Sequence, residues 1–153
     1  MSSDFERTPA LPLIRLLGVG LDQFSGQLDE RVAAAGYGDI RPGHGCVFGG
    51  IDPDNGSRLT DLAERAMMTK QSVGEVTSDL ERLGYVERVP DPDDGRAKLI
   101  RLTPKGREAY AIGQLLIDEV ERDWAQRFGE EGVTALREVL EAVHAERFGA
   151  VAV

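Results

Sequence analysis

Cysteine is nearly missing from this chain. Cys46 is the only one in 153 residues, which excludes an internal disulfide framework and fits a reducing cytoplasm. Histidine is almost as scarce: His44 and His144 stand far apart in the chain, and no Cys/His spacing motif supplies the three or four clustered ligands of a zinc site. No metal and no cofactor is therefore expected. No run of about 18 apolar residues occurs, so no membrane-spanning helix is predicted. The polar, acidic stretch from Met1 to Thr8 lacks the apolar centre of a signal peptide. Also absent are a nucleophile elbow, a phosphate-cradling glycine loop and a His–carboxylate pair at helical spacing, so nothing argues for an enzyme.

What is present is ordinary globular material. Hydrophobic residues make up 41% and charged residues 29%, a balance that favours a packed core over disorder. The length suits one compact domain, with or without extended helical arms. The formal net charge of −9 is unfavourable for a nucleic-acid partner only if it is evenly spread. It is not: residues 57–106 carry nine Lys/Arg and nine Asp/Glu, so the whole excess lies in the flanks. Charges beyond a Debye length of about 8 Å are screened at physiological salt, and a neutral centre with its cations on one face can bind phosphate.

Apolar residues Ile14, Leu17, Leu21, Phe24, Leu28, Val32 and Ala35 step by three and four, the stripe of one helix, stopped by Gly36 and Gly38. Pro42 opens a short second helix carrying Cys46, Val47, Phe48 and Ile51. After the turn 52–56, Thr60 is placed to cap a third helix, with Leu62, Ala63 and Ala66 on one face. Thr69 caps a fourth, which runs to Leu83 and closes at Gly84. The runs Tyr85 to Val89 and Ala97 to Leu102 flank Pro90-Asp91-Pro92-Asp93-Asp94-Gly95 and read as a β-hairpin with a long tip. Thr103-Pro104 opens a fifth helix with the stripe Ile112, Leu116, Val120 and Trp124. A break at Gly129 precedes a sixth, whose stripe is Val133, Leu136, Leu140 and Val143. Glu130-Glu131 read as its acidic first turn, favourable for the helix dipole.

Two short helices joined by a tight bend and followed at once by a hairpin are the skeleton of a winged helix-turn-helix. On the fourth helix, Val73, Val76, Leu80 and Leu83 fall on one side, while Gln71, Gly74, Glu75, Ser78 and Arg82 fall on the other. The outer side is small and polar enough to enter a major groove, and Gln71 suits an adenine edge. Thr69, Lys70 and Ser72 sit at the helix start, where free N–H groups favour phosphate. The hairpin adds Arg96 and Lys98 near its tip, with Arg88 and Arg101 on its strands, for the backbone or an adjacent minor groove.

These segments resemble the MarR family of regulators. The resemblance rests on Leu59-Thr60-Asp61-Leu62-Ala63-Glu64-Arg65, Thr69-Lys70-Gln71-Ser72-Val73 and Leu80-Glu81-Arg82-Leu83-Gly84-Tyr85-Val86-Glu87-Arg88. Its most specific part is Asp94-Gly95-Arg96 followed by Leu102-Thr103-Pro104-Lys105-Gly106. It extends over about residues 10–147 and is tightest over 58–106. It implies a mainly α fold of six helices with a small β-hairpin wing. After a loose, disordered end over 1–10, residues 11–36 and 107–148 would be dimerisation helices, and 37–106 the DNA-binding domain. It implies a homodimer on a pseudo-palindromic site in double-stranded DNA, and a cytoplasmic, nucleoid-associated bacterial regulator that represses more often than it activates. It implies a small aromatic or phenolic effector, and a wing whose Arg96, oriented by Asp94, enters the minor groove. One departure stands out: at the bend, where the family usually has glycine, this chain has Met67.

Plainer readings compete at several positions. Glu75 reads first as a solvated carboxylate at the groove rim, and Cys46 as a small buried hydrophobe rather than a redox switch. His44 is a weak candidate for lining a ligand cavity. Trp124, Phe128 and Phe148 are expected to pack across a dimer interface. An acidic total with Glu75 in the groove face also fits a winged domain that binds protein instead of DNA.

Overall fold

The computed structural model describes residues 10–150, so of the loose end expected over residues 1–10, all but Ala10 lies outside the described residues. Along the chain run α1 (Leu13–Val32), α2 (Gly45–Phe48), β1 (Ser57–Arg58), α3 (Leu59–Ala66), α4 (Lys70–Arg82), β2 (Val86–Asp91), β3 (Asp94–Leu102), α5 (Pro104–Phe128) and α6 (Glu130–Phe148). This is the mainly α, winged helix-turn-helix architecture that the pattern predicts. The described residues divide into two compact units, 10–110 and 111–150.

In the first unit, α1 runs into a π-helical turn over Ala33–Tyr37, in which Gly36 takes φ 100°. The helix proper is thus shorter than its stripe suggests. No residue of α1 is buried, and Ile14, Leu17 and Leu21 point outward, Ile14 with 82% of its surface exposed. Pro42 opens a single 3-10 turn that leads into α2. The core draws Val47 from α2, Leu62 from α3, Val73 and Leu80 from α4, and Val86, Ile100 and Leu102 from the sheet. Each such burial is worth about 1.5–3 kcal/mol, so the helix-turn-helix and the sheet are held by one shared interior.

The sheet has three antiparallel strands in the order β1-β3-β2. Ser57 pairs with Ile100, and Val86 with Leu102. β1 is absent from the sequence expectation, because two residues are too short to show a period. The hairpin is also tighter than expected: its strands continue through Asp91 and Asp94, with a register shift at Pro90/Asp91. Pro90 is tolerated because β2 is an edge strand. The tip closes early because the Asp91 carboxylate accepts from the Asp93 N–H at 2.9 Å. A further correction concerns Thr60, which lies inside α3: Arg58 occupies the cap position, and no side chain caps the helix.

In the second unit, Gly129 (φ 95°) separates α5 from α6. Arg137 of α6 pairs with Glu121 of α5 and, at 3.7 Å, with Glu141 one turn along its own helix. Trp124 and Phe128 meet edge to face with centroids 5.5 Å apart. The expected α5 stripe is sheltered, with Val120 fully buried. The α6 stripe is not: no residue of α6 is buried, and Leu136, Leu140 and Val143 are exposed.

Candidate nucleic-acid interface

The bend between α3 and α4 is made by Met67, in the left-handed region at φ 54°, ψ 37°. The N–H groups of Met67 and Met68 donate to the Glu64 and Ala63 carbonyls at 3.1 and 3.0 Å, closing α3. That conformation costs a non-glycine residue about 1–2 kcal/mol. Met67→Gly is therefore expected to raise stability by up to about 1 kcal/mol, the released strain being partly offset by glycine's freer unfolded chain. Little burial is lost, since Met67 is 66% exposed. A urea melt with a lower midpoint than that of the native chain would contradict this.

Thr69 then caps α4 as expected. Its hydroxyl oxygen accepts from the Ser72 N–H at 3.1 Å, which satisfies one of the orphan donors of the first turn. Lys70 follows, and no acidic residue sits in that turn. Gln71, Glu75, Ser78 and Arg82 are exposed along the outer side, with Gly74 and Ser72 half-buried among them. On the inner side Thr77 is fully buried beside Val73 and Leu80. It is legible only in three dimensions, because its hydroxyl donates back to the Val73 carbonyl at 2.7 Å and so loses its polarity to the helix. At the far end Gly84 takes φ 84°, the left-handed closure that glycine supplies without strain.

Between the start of α4 and the wing lies a cleft of roughly 380 Å³, lined by Arg58, Leu59, Thr60, Lys70, Arg88, Arg96, Ala97, Lys98 and Ile100. Five of these residues are cationic and none is acidic. Arg88 is turned toward α4, donating to Ser78 at 3.0 Å and Glu81 at 3.3 Å. Arg58 is engaged by Asp91, at 2.7 Å from Nε and 2.6 Å from Nη2. Arg96 and Lys98 are exposed on β3. Asp94 accepts from the backbone N–H of Arg96 at 3.1 Å, so what it orients is the strand at Arg96 rather than the guanidinium. Of the sequence-derived set, the fold thus gathers Lys70, Arg88, Arg96 and Lys98 around one opening. Ser78 and Arg82 sit farther along α4, where Arg82 pairs with Asp79 at 2.7 Å. Gln71 donates to Glu75 at 3.4 Å, a weak contact within the outer face. Arg58 and Thr60 belong to the cleft but not to the expected interface, because only the pairing of β1 with β3 brings them there.

The MarR family profile matches residues 46–97, the stretch that forms α2 to the wing. Transcriptional regulator HosA of Escherichia coli O111:H- is 31% identical over 86 residues, 56% of this chain and 64% of HosA. The match to the transcriptional activatory protein BadR of Rhodopseudomonas palustris, 34% identical over 58 residues, covers 38% of this chain and 33% of BadR. The chain thus spans less than two thirds of either relative. In fold, it superposes on S. aureus MepR in its DNA complex with a TM-score of 0.72 at 21% identity, over 90% of this chain and 99% of that one. CouR from Rhodococcus jostii RHA1, bound to p-coumaroyl-CoA, gives 0.71 at 20% identity, over 90% and 93%.

Over residues 46–97 the chain is similar to the MarR family, and its fold is that of solved MarR-family proteins. That family and fold are those of transcriptional regulators rather than enzymes, and among the described residues no helix is long and apolar enough to cross a membrane. In this chain, the Leu-Thr-Pro-Lys-Gly segment after the wing has a definite mechanical role. The Thr103 hydroxyl donates to the Gly84 carbonyl at 2.6 Å and accepts from the Gly106 N–H at 3.0 Å, capping α5 as expected. Lys105 donates to the Leu83 carbonyl at 2.8 Å and lies 4.2 Å over the Tyr85 ring. Tyr85 in turn donates to Asp39 at 2.6 Å. Burial, helped by that carboxylate, pushes its phenol above the ordinary range. The end of α4 and the start of α5 are thereby knotted together.

A second network holds the side of α4. Asp79 pairs with Arg82, Arg41 and His44, which together hold its carboxyl well below the usual carboxylate range. His44 is buried and uses both ring nitrogens within the protein: Nδ1 accepts from the Arg41 N–H at 3.0 Å, so Nε2–H donates to Asp79 at 2.7 Å. The residue expected as a weak ligand candidate is thus placed as a strut under α4. Burial pushes the Cys46 thiol up, away from the thiolate form that redox chemistry needs. Asp91 is held low by the Asp93 N–H and by Arg58.

Proposed function

We propose that this chain is a transcription regulator, chiefly a repressor, that binds a pseudo-palindromic operator in double-stranded DNA as a homodimer. The observation that carries this reading is the acid-free cationic cleft between the start of α4 and the wing. Thr69, Lys70, Gln71, Ser72, Gly74, Glu75, Ser78 and Arg82 would face the major groove and its phosphates, while Arg88, Asp94, Arg96 and Lys98 would build the flanking wing contact. The solved complex of MepR with DNA, on the same fold, supports this assignment. Dimerisation is supported by the apolar side chains that α1 and α6 each expose, among them Ile14, Leu21, Leu136 and Val143, an arrangement that a monomer in water disfavours. A second copy would cover them. Two recognition helices related by a twofold axis then set half-sites about one helical turn apart. A small aromatic or phenolic acid is the proposed effector. The CouR complex with p-coumaroyl-CoA supports that chemistry, and thermal-shift screening of aromatic acids would identify the compound.

The deciding experiment titrates duplex from upstream of the chain's own coding sequence at a series of salt concentrations. Affinity is expected to fall steeply, with a log–log slope near −0.9 for each phosphate neutralised. Flat curves across salt and sequence, with a sedimenting monomer, would instead favour a winged domain that has given up DNA.

A further inference from the structure

Asp91 is an acidic residue beside a cleft whose own lining has none. A carboxylate beside a phosphate-binding surface repels the ligand. This one is 5% exposed, at the end of β2 beside the wing tip, and burying a charge is costly unless it is paired. Its two oxygens divide the pairing. Oδ1 accepts from the Asp93 N–H at 2.9 Å and shapes the tip, while Oδ2 takes Nε and Nη2 of Arg58 at 2.7 and 2.6 Å. Arg58 belongs to β1, a two-residue strand that leads straight into α3. One carboxylate therefore ties the wing tip to the first residues of the helix-turn-helix, across the full width of the sheet. The tie sits at the register shift, where the regular β2–β3 pairing is interrupted. Arg96 and Lys98 hang on the stretch that it fastens, since Asp91 pairs with Asp94 and Pro90 with Lys98.

We propose that Asp91 and Arg58 form a latch that positions the wing for DNA, so that this acidic residue strengthens nucleic-acid binding. The inference rests on the DNA-binding reading above. Arg58 is a positioning residue in this account, its charge taken up by Asp91 rather than offered to phosphate.

The test is a sign. Asp91→Asn keeps an oxygen for the Asp93 N–H, removes a negative charge from the interface and frees the Arg58 cation. On charge alone it should bind DNA more tightly. The latch requires the opposite, a loss of about tenfold for the upstream duplex, read by fluorescence anisotropy beside a thermal melt showing that the variant is folded. Because Asp91 acts through the wing, the loss should vanish in an Arg96→Ala background, a non-additivity that a separate contact or a general loss of stability would not produce. Arg58→Gln should show the same loss and the same dependence on Arg96. Arg58→Lys, which keeps the charge without the two-pronged geometry, should fall between, and it carries the test if Asp91→Asn does not fold. Unchanged or tighter binding by Asp91→Asn, or losses that simply add to that of Arg96→Ala, would overturn the latch while leaving DNA binding intact. Failure of the native protein to bind the duplex would overturn the DNA reading instead.

Discussion

Gly106→Ala is expected to lower the unfolding free energy by about 3 kcal/mol or more. A Cβ at this position would lie 1.9 Å from the Tyr85 carbonyl oxygen and 2.9 Å from its carbon, so backbone has to move. Neither side can yield cheaply. Tyr85 is fully buried, its hydroxyl is held by Asp39, its ring lies against Phe48, and its carbonyl already accepts from the Thr103 N–H at 3.1 Å. Gly106 is fixed from the other side by its bond to the Thr103 hydroxyl. Separation would open the knot that joins the end of α4 to the start of α5. Chemical denaturation should therefore show a much lower midpoint with the slope nearly unchanged. A change under about 1 kcal/mol would mean that this close approach is not maintained in solution.

Arg96→Ala is expected to weaken binding of the upstream duplex by about ten- to a hundredfold at fixed salt and to make the salt slope shallower. Arg96 is exposed near the wing tip, on the cationic wall of the cleft, and its backbone is fixed by Asp94, so its side chain can be given wholly to the ligand. Arg101, on the same strand, is the control. It lies 3.3 Å from Glu87 across the hairpin and does not line the cleft; an exposed pair of this kind is worth about 0–1 kcal/mol. Arg101→Ala should therefore change affinity little and leave the salt slope where it was. Equal losses in the two variants would show that bulk charge, rather than the wing's placement, governs binding.

Much of this arrangement is legible in the residues because its signals are local. Thr69 caps α4 from three positions away, Gly84 closes it, and Thr103-Pro104 opens α5; each needs only its immediate neighbours. The alternation of Val73 and Leu80 with Gln71, Glu75 and Ser78 assigns the two sides of α4 by geometry alone. Boundaries are harder. Thr60 looks like a cap, yet Arg58 takes that place because β1 pairs with β3 and sets where the chain turns into α3. The hairpin tip looks like a loop from Pro90 to Gly95, but a buried carboxylate draws both strands onward. His44 could be weighed only as a ligand candidate, since its partner Asp79 is 35 positions away.

The residues by themselves determined the helix-turn-helix with its wing, the candidacy of Lys70, Arg96 and Lys98 as DNA-contacting cations, and the apolar stripes of the terminal helices. All of these depend on period, caps and turns, which act within a few residues. Only the tertiary structure decided who pairs with whom: Arg58 with Asp91, His44 with Asp79, Gly106 beneath the Tyr85 carbonyl. Such partners are chosen when distant segments return to the same place, and a charge or a small residue carries no mark of the neighbour it will meet until packing has brought that neighbour within reach.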